Sequence, residues 1–144
     1  MKDKVRVLLV GSAFAADLHA DAYARIKDKA QIVGIVGRNP EKVKSLADRY
    51  GFTGYKVYDD YKRAIEEAEC DVVDICLPNF LHHEVAIAAL ERGRDVICEK
   101  PLATTVEDAE DMVATAKRVG RRIYYAEDWL GAPALTKALS LIES

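Results

Sequence analysis

Short apolar runs alternate along the chain with longer segments whose apolar residues recur every three or four positions. The run at 5–10 is rich in valine and leucine and ends at Gly11, and a similar run at 31–36 ends at Gly37. A helical spacing begins between them, at about Ala15. Continuous apolar runs of this length are typical of strands that are buried on both faces. The pattern therefore predicts a strand–helix–strand unit.

The predicted helices also carry recognisable signals. Leu18, Ala22 and Ile26 recur with helical spacing and share one face. Asn39, which is followed by a proline and an acidic residue, predicts the start of the second helix. Asp59 predicts the cap of the third helix. Each of the two caps places a helix shortly after a strand.

The alternation continues to the end of the sequence. Further strands are predicted at 55–58, 72–77, 95–98 and 122–126, and further helices at 61–68, 81–92, 106–119 and from about 133. Strands that alternate with helices form a parallel sheet, because the crossovers between parallel neighbours cover both of its faces. We therefore predict a doubly wound, Rossmann-like α/β domain of three layers at 1–130. Residues 131–144 are predicted to begin a helix that leads out of it, with the boundary near Gly131.

Composition narrows the class of protein. The 144 residues are 50% hydrophobic, which is enough for one substantial core, and the formal net charge is −3. Such a balance argues against nucleic-acid and membrane-surface partners. The sequence shows no signal-peptide pattern and no apolar run long enough to span a bilayer, so we expect a cytoplasmic protein. Its three cysteines form no CxxC pair, which argues against disulfides and against a metal site.

Parallel sheets bind ligands beyond the carboxyl ends of their strands, so the segments after each strand are candidate sites. The first segment lies where a dinucleotide-binding GxGxxG/A loop would lie, and it consists of Gly11, Ser12, Ala13, Phe14 and Ala15. Alanine stands at the second glycine position, so only the first glycine is intact. The backbone N–H groups of such a loop can hold a pyrophosphate. A tight turn without a ligand is the alternative.

The segment after the second strand bears on cofactor choice. An NAD site would place an acid there against the ribose 2′-hydroxyl, but the chain has Gly37, Arg38 and Asn39. The guanidinium of Arg38 is suited to a 2′-phosphate or to stacking on adenine. We therefore expect an NAD(P) cofactor with a lean toward NADP. The alternative is a solvated loop arginine.

Three short motifs occur in a characteristic order. They are Leu18-His19-Ala20, the segment 77–82 that reads Leu-Pro-Asn-Phe-Leu-His, and Glu99-Lys100-Pro101. Together they resemble the N-terminal domain of the Gfo/Idh/MocA oxidoreductases over essentially the whole chain. The resemblance implies an NAD(P)-dependent oxidoreductase acting on a secondary alcohol or ketone of a sugar, cyclitol or related small molecule. It also implies a second domain that lies outside this chain, so we expect little turnover from the chain alone.

The resemblance assigns roles to residues at four strand ends. The implied contacts are Gly11, Phe14 and Ala15 for the pyrophosphate, Arg38 and Asn39 for the adenosine ribose, Leu77, Pro78, Asn79 and His82 for the central part of the cofactor, and Glu99 and Lys100 for the nicotinamide. Lys100 is the implied catalytic residue, because a positioned ammonium can stabilise an alkoxide that develops during hydride transfer. Pro101 would fix the turn that aims it, with its peptide bond in the cis form.

Simpler interpretations stay open at several of these positions. Glu99 and Lys100 would be an exposed turn pair if the flanking motifs were set aside. His19 is expected to close a hydrogen bond to a neighbouring loop rather than to take part in catalysis. His82 and His83 are adjacent on a helix start and have no third ligand in view, which disfavours a metal site.

The function class is also open between three alternatives. Besides the oxidoreductase, the residues suit a non-enzymatic dinucleotide-binding module or part of an NAD-dependent glycosidase. Asp128 and Trp129 belong either to a substrate wall or to the domain boundary. A small-molecule substrate is the expected partner of the complete protein, and assembly into a homo-oligomer is compatible with the sequence.

Overall fold

The computed structural model describes residues 4–128 and 132–143. The strands in these ranges are β1 (Val5–Val10), β2 (Ala30–Val36), β3 (Lys56–Tyr58), β4 (Val72–Ile75), β5 (Asp95–Glu99) and β6 (Ile123–Ala126). The helices are α1 (Phe14–Arg25), α2 (Pro40–Tyr50), α3 (Tyr61–Glu67), α4 (His82–Glu91), α5 (Val106–Val119) and α6 (Pro133–Ile142), with a short 3-10 helix at Asn79–Leu81. The predicted domain boundary at Gly131 and the position of Trp129 lie outside the described residues.

The six described strands form one sheet in the order β3-β2-β1-β4-β5-β6. Every neighbouring pair is parallel. The chain moves outward from β1 to β3 and then returns to the other side of β1, so its direction reverses between β1 and β4. A ligand crevice is expected at such a switch point, beyond the carboxyl ends of the strands.

The helices divide between the two faces of the sheet. On one face, α1 and α2 bury Ala20 and Val43 among the apolar residues of the central strands. On the other face, α3, α4 and α5 bury Ile65, Leu90 and Met112. This arrangement confirms the predicted doubly wound, three-layer α/β fold. Among the described residues, every helix is too short or too polar to cross a membrane.

Of the two predicted helix caps, one is confirmed and one is wrong by a residue. The side-chain oxygen of Asn39 accepts hydrogen bonds from two N–H groups of the first turn of α2, as predicted. Helix α5 spans Val106–Val119, as predicted, and Gly120 follows it in the left-handed conformation. The cap of α3 is Asp60 rather than Asp59, because Asp60 Oδ1 accepts the N–H of Arg63 at 2.8 Å. Asp59 instead pairs with the Arg63 guanidinium at 3.0 Å.

Helix α1 differs from the pattern expected of a core helix. Its buried residues are Ala16 and Ala20, whose small side chains allow the helix to lie close to the sheet. The face formed by Leu18, Ala22 and Ile26 is left partly open, with Leu18 53% exposed. This face borders an open groove between α1 and β6, which we call the α1–β6 groove. Its other lining residues include Phe14, His19, Ile97, Glu99, Lys100 and Tyr125.

Candidate functional site

The turn after β1 requires glycine at its first position. Gly11 has a φ of 131°, which side-chain-bearing residues rarely adopt. A Cβ atom at Gly11 would lie 2.3 Å from the backbone oxygen of Cys76, at the end of β4. The chain therefore passes directly over the neighbouring strand at the switch point. This close approach is what the first glycine of a dinucleotide-binding loop provides.

The helix that follows this turn begins without a side-chain cap. Ala13 occupies the N-cap position, and its side chain makes no cap hydrogen bond to the first turn of α1. The φ of Ala13 is −103°, so this backbone position does not require glycine. Phe14 stands beside it and is 79% exposed. Uncapped N–H groups and the positive end of the helix dipole together suit an anion such as a pyrophosphate.

The end of β2 lies next to the same loop. A Cβ atom on Gly37 would come within 2.7 Å of the Ser12 hydroxyl oxygen, so glycine makes room for that side chain. Arg38 is exposed. In the described part of the chain, its side chain makes no hydrogen bond or ion pair. Asn39 uses its side-chain oxygen to cap α2, which leaves its amide nitrogen as the donor for a ligand.

The turns after β4 and β5 are joined by a histidine. Strand β4 ends at Ile75, two residues before the predicted end, and Leu77 belongs to the turn that follows. His82 is 1% exposed, and its ring nitrogens lie 2.9 Å from the carbonyl oxygen of Leu77 and 2.8 Å from that of Pro101. His82 therefore holds the two turns together. Because the imidazole is buried, the contacts with the cofactor predicted for His82 would come from the backbone of these two turns.

The Glu-Lys-Pro segment lies at the end of β5, as predicted. The peptide bond between Lys100 and Pro101 is cis, which confirms the expectation for this turn. The backbone N–H of Lys100 donates to Glu99 Oε2 at 2.9 Å. Lys100 itself is exposed and lines the α1–β6 groove together with Phe14. The structure thus brings the catalytic candidate and part of the glycine loop to one groove.

A buried hydrogen-bond network lies beneath this turn, and sequence reasoning missed two of its members. Asp74 is fully buried, and it accepts the hydroxyl proton of Tyr23 at 2.8 Å. His19 Nδ1 lies 2.8 Å from Asp74 Oδ2, and His19 Nε2 lies 3.1 Å from Glu99 Oε1. The partners of His19 are therefore residues of β4 and β5, not a neighbouring loop. A single acid inside the apolar strand at 72–77 was the available signal for Asp74.

The network and its surroundings shift several proton affinities. Burial opposes the charged form of His19, but hydrogen bonds and charges from Asp74 and Glu99 outweigh it and raise the pKa above its ordinary value. Burial, reinforced by the charge of Asp74, raises the pKa of the Tyr23 hydroxyl. Burial likewise raises the pKa of the Cys76 thiol, and it raises that of Cys98 to about 12. These thiols stay protonated at neutral pH and are poor nucleophiles.

One group of side chains has the spacing of metal ligands. Among the described residues, the ligand atoms of His19, Asp74 and Cys76 lie within 4.8 Å of one another. The Asp74 oxygens already accept hydrogen bonds from His19 and Tyr23. A raised thiol pKa also disfavours the thiolate that a metal would bind. The group is therefore best described as a hydrogen-bonded cluster.

Comparisons with known proteins agree with this geometry. The model of the "Oxidoreductase family, NAD-binding Rossmann fold", Gfo/Idh/MocA, matches residues 5–127. A D-glucoside 3-dehydrogenase of Escherichia coli (strain K12) is 35% identical over 122 residues, which are 84% of this chain and 34% of that protein. A levoglucosan dehydrogenase of Pseudarthrobacter phenanthrenivorans is 34% identical over 146 residues, covering 96% of this chain and 37% of that protein.

A solved structure gives the same result. The WlbA dehydrogenase from Bordetella pertussis, crystallised in complex with NADH and UDP-GlcNAcA, is 28% identical and superposes with a TM-score of 0.89. The match covers 99% of this chain and 40% of that one. The chain thus spans between a third and two fifths of the length of these relatives. By its family model, its relatives and its fold, the chain belongs to the Gfo/Idh/MocA oxidoreductase family, in which it corresponds to the NAD-binding Rossmann domain.

Proposed function

We propose that this chain is the cofactor-binding domain of an NAD(P)-dependent oxidoreductase that acts on a secondary alcohol, or the matching ketone, of a sugar or cyclitol. The observation that carries the proposal is the meeting of two features at the switch point. One is the uncapped start of α1 above Gly11, and the other is the Glu99–Lys100 turn at the end of β5. The names of the sugar dehydrogenases to which the chain is similar support the substrate class.

The described residues fit a dinucleotide along the carboxyl edge of the sheet. The N–H groups of 13–15 would hold the pyrophosphate, and Arg38 and Asn39 would hold the adenosine ribose. The turns that His82 joins would bound the central part of the cofactor, and Glu99 would flank the nicotinamide. When bound, the cofactor supplies a hydride acceptor or donor.

Lys100 would contribute electrostatically to the reaction. Its ammonium is exposed beside the α1–β6 groove, where it can donate a hydrogen bond to a substrate oxygen. A positive charge there stabilises an oxygen that becomes negative as a hydride leaves the adjoining carbon. The partner acid or histidine would come from a second domain, so the isolated chain is expected to bind cofactor with little turnover.

The preference for NADP is a finer proposal. It rests on the absence of an acid after β2 and on the exposed guanidinium of Arg38, which suits a 2′-phosphate. The relative crystallised with NADH shows that members of this fold also bind the unphosphorylated cofactor. Assembly into a homo-oligomer stays a prediction from the sequence.

Calorimetric titration of the chain with NADPH and NADH tests both levels of the proposal. We expect both to bind, NADPH more tightly, and Arg38→Ala to lose that preference while still binding NADH. Arg25→Ala is the matched control, because Arg25 lies in the last turn of α1 and pairs only locally, with Asp21. If neither cofactor binds, the proposal is overturned. If NADPH and NADH bind equally to the wild-type chain and to Arg38→Ala, only the NADP preference is contradicted.

An assay of the complete protein would distinguish the three function classes by their products. An oxidoreductase produces net reduced cofactor from a polyol substrate. An NAD-dependent glycosidase instead releases the free sugar without net reduction, and a binding module does neither. The dehydrogenase names of the relatives favour the first outcome. Release of sugar without accumulation of reduced cofactor would contradict it.

A further inference from the structure

Asp74 is an ionisable residue in an unusual place. It lies in the middle of β4 with apolar neighbours on both sides and is fully buried. A buried carboxylate is costly unless hydrogen bonds replace its lost hydration. Its donors are the Tyr23 hydroxyl and the Nδ1 atom of His19, with the Cys76 thiol as a weaker third at 3.8 Å. These contacts fix the orientation of the His19 ring.

The fixed ring turns its second nitrogen toward another carboxylate. His19 Nε2 lies 3.1 Å from Glu99 Oε1, while Nδ1 is held by Asp74. Both ring nitrogens can donate only when the imidazole carries two protons. A neutral ring would leave one lone pair facing a carboxylate oxygen, which is repulsive. The geometry therefore favours the imidazolium form of His19.

The network continues from His19 to the backbone of the catalytic candidate. Glu99 uses Oε1 for His19 and Oε2 for the backbone N–H of Lys100. Hydrogen bonds between charged partners are stronger than neutral ones, so the Glu99 carboxylate is held in one position. On the other side of the turn, the Pro101 carbonyl oxygen lies 2.8 Å from Nδ1 of the buried His82 ring. The Lys100 turn is thus clamped from two directions.

We propose that His19 is a positioning residue, which as an imidazolium between Asp74 and Glu99 holds the Lys100 turn in place for the nicotinamide end of the cofactor. This inference rests on the proposed function of the chain. The contacts that hold the glycine loop therefore differ from those that hold the Lys100 turn. The glycine loop depends on Gly11 and the start of α1, which His19 does not touch with its ring nitrogens.

The proton on His19 makes this support dependent on pH. The titratable groups that surround the ring are Tyr23 from α1, Asp74 from β4, Cys76 just after β4, Glu99 from β5, Lys100 from the turn, and Glu127 and Asp128 along the same groove. The nearest of these are the two carboxylates, which stabilise the charged ring. Loss of the proton removes one of its two hydrogen bonds and frees the Glu99 carboxylate from one side.

Two ligands distinguish an effect on the Lys100 turn from an effect on the glycine loop. NADH reaches the nicotinamide end of the site, whereas ADP-ribose contains the adenosine, pyrophosphate and second ribose without the nicotinamide. We expect the ratio of NADH to ADP-ribose affinity in the wild-type chain to fall by about tenfold as pH rises through the titration of His19. His19→Gln should show the low ratio at every pH. His83→Gln is the control, since His83 lies at the start of α4, does not line the α1–β6 groove and pairs with Asp111 of α5.

Ring ¹⁵N NMR of the ligand-free chain supplies a readout that needs neither a ligand nor a variant. His19 should show two protonated ring nitrogens at a pH where an ordinary imidazole is already neutral. The inference is overturned if the His19 ring is neutral at that pH. It is also overturned if the ratio of NADH to ADP-ribose affinity depends neither on pH nor on the His19 substitution. Failure of both NADH and ADP-ribose to bind would instead contradict the proposed function, while the NMR result would still decide the protonation state of His19.

Discussion

Replacing Gly11 with alanine is expected to destabilise the domain by about 2–6 kcal/mol. Two physical terms contribute. The φ of 131° is a conformation that residues with a side chain adopt at a cost of about 1–3 kcal/mol. The added Cβ would also lie 2.3 Å from the Cys76 carbonyl oxygen, and relieving such overpacking costs about 1–3 kcal/mol more.

Gly54→Ala is the matched control for the first of these terms. Gly54 also has a positive φ, of 72°, but a Cβ there would meet no atom within 4 Å. Its substitution should cost only the conformational term, about 1–2 kcal/mol. The close approach of the glycine loop to β4 therefore predicts a larger loss of stability for Gly11→Ala than for Gly54→Ala.

Urea unfolding followed by far-UV circular dichroism measures both variants. For a domain whose total stability is on the order of 5–15 kcal/mol, the Gly11 variant should unfold at a clearly lower urea concentration with an unchanged slope. If Gly11→Ala loses no more stability than Gly54→Ala, the loop does not pass over the end of β4 as described.

Three further predictions follow from individual contacts. Asn39→Ala should cost about 1 kcal/mol in urea unfolding, because it removes the cap of α2, and an unchanged midpoint would contradict that role. The Arg6 guanidinium holds the pKa of Asp71 below its usual range, so the pair stabilises the fold at neutral pH and loses that effect as the carboxyl is protonated in acid. In urea unfolding, Asp71→Asn should therefore be less stable than wild type by up to about 1 kcal/mol at neutral pH, and the difference should shrink as the pH falls. The raised pKa of His19 means that its contribution to stability is fully present below about pH 6.5 and is lost as pH rises through the higher folded value, a dependence that unfolding of His19→Gln across pH should lack.

The fold was largely predictable because its signals are local. The valine-rich run at 5–10 and the span of α5 follow from short stretches of sequence, and the structure reproduces both. The shift of one residue at the start of α3 arises because adjacent aspartates both suit a cap, and only the backbone geometry selects Asp60. The open face of α1 could not be predicted from periodicity. Spacing shows which residues share a face, but not which face meets the sheet.

The candidate site was predictable only in part. The turns at the strand ends were found because glycine and proline mark them, and the motif at 99–101 lies where the resemblance placed it. The network beneath them joins residues that are 55 and 80 positions apart in sequence. Such pairings depend on strand order and register, which no local pattern encodes. A buried acid such as Asp74 is visible in the sequence as an exception, but its partners are not.

Binding of a dinucleotide along the carboxyl edge of the sheet can be mapped residue by residue with amide NMR. The ¹⁵N-labelled chain would be titrated with NADH while the backbone amide shifts are followed. We expect the largest shifts on 11–15, 38–39, 77–79 and 99–100, with the amino-terminal ends of the strands unaffected. Shifts that are absent, or that concentrate at the opposite edge of the sheet, would contradict it.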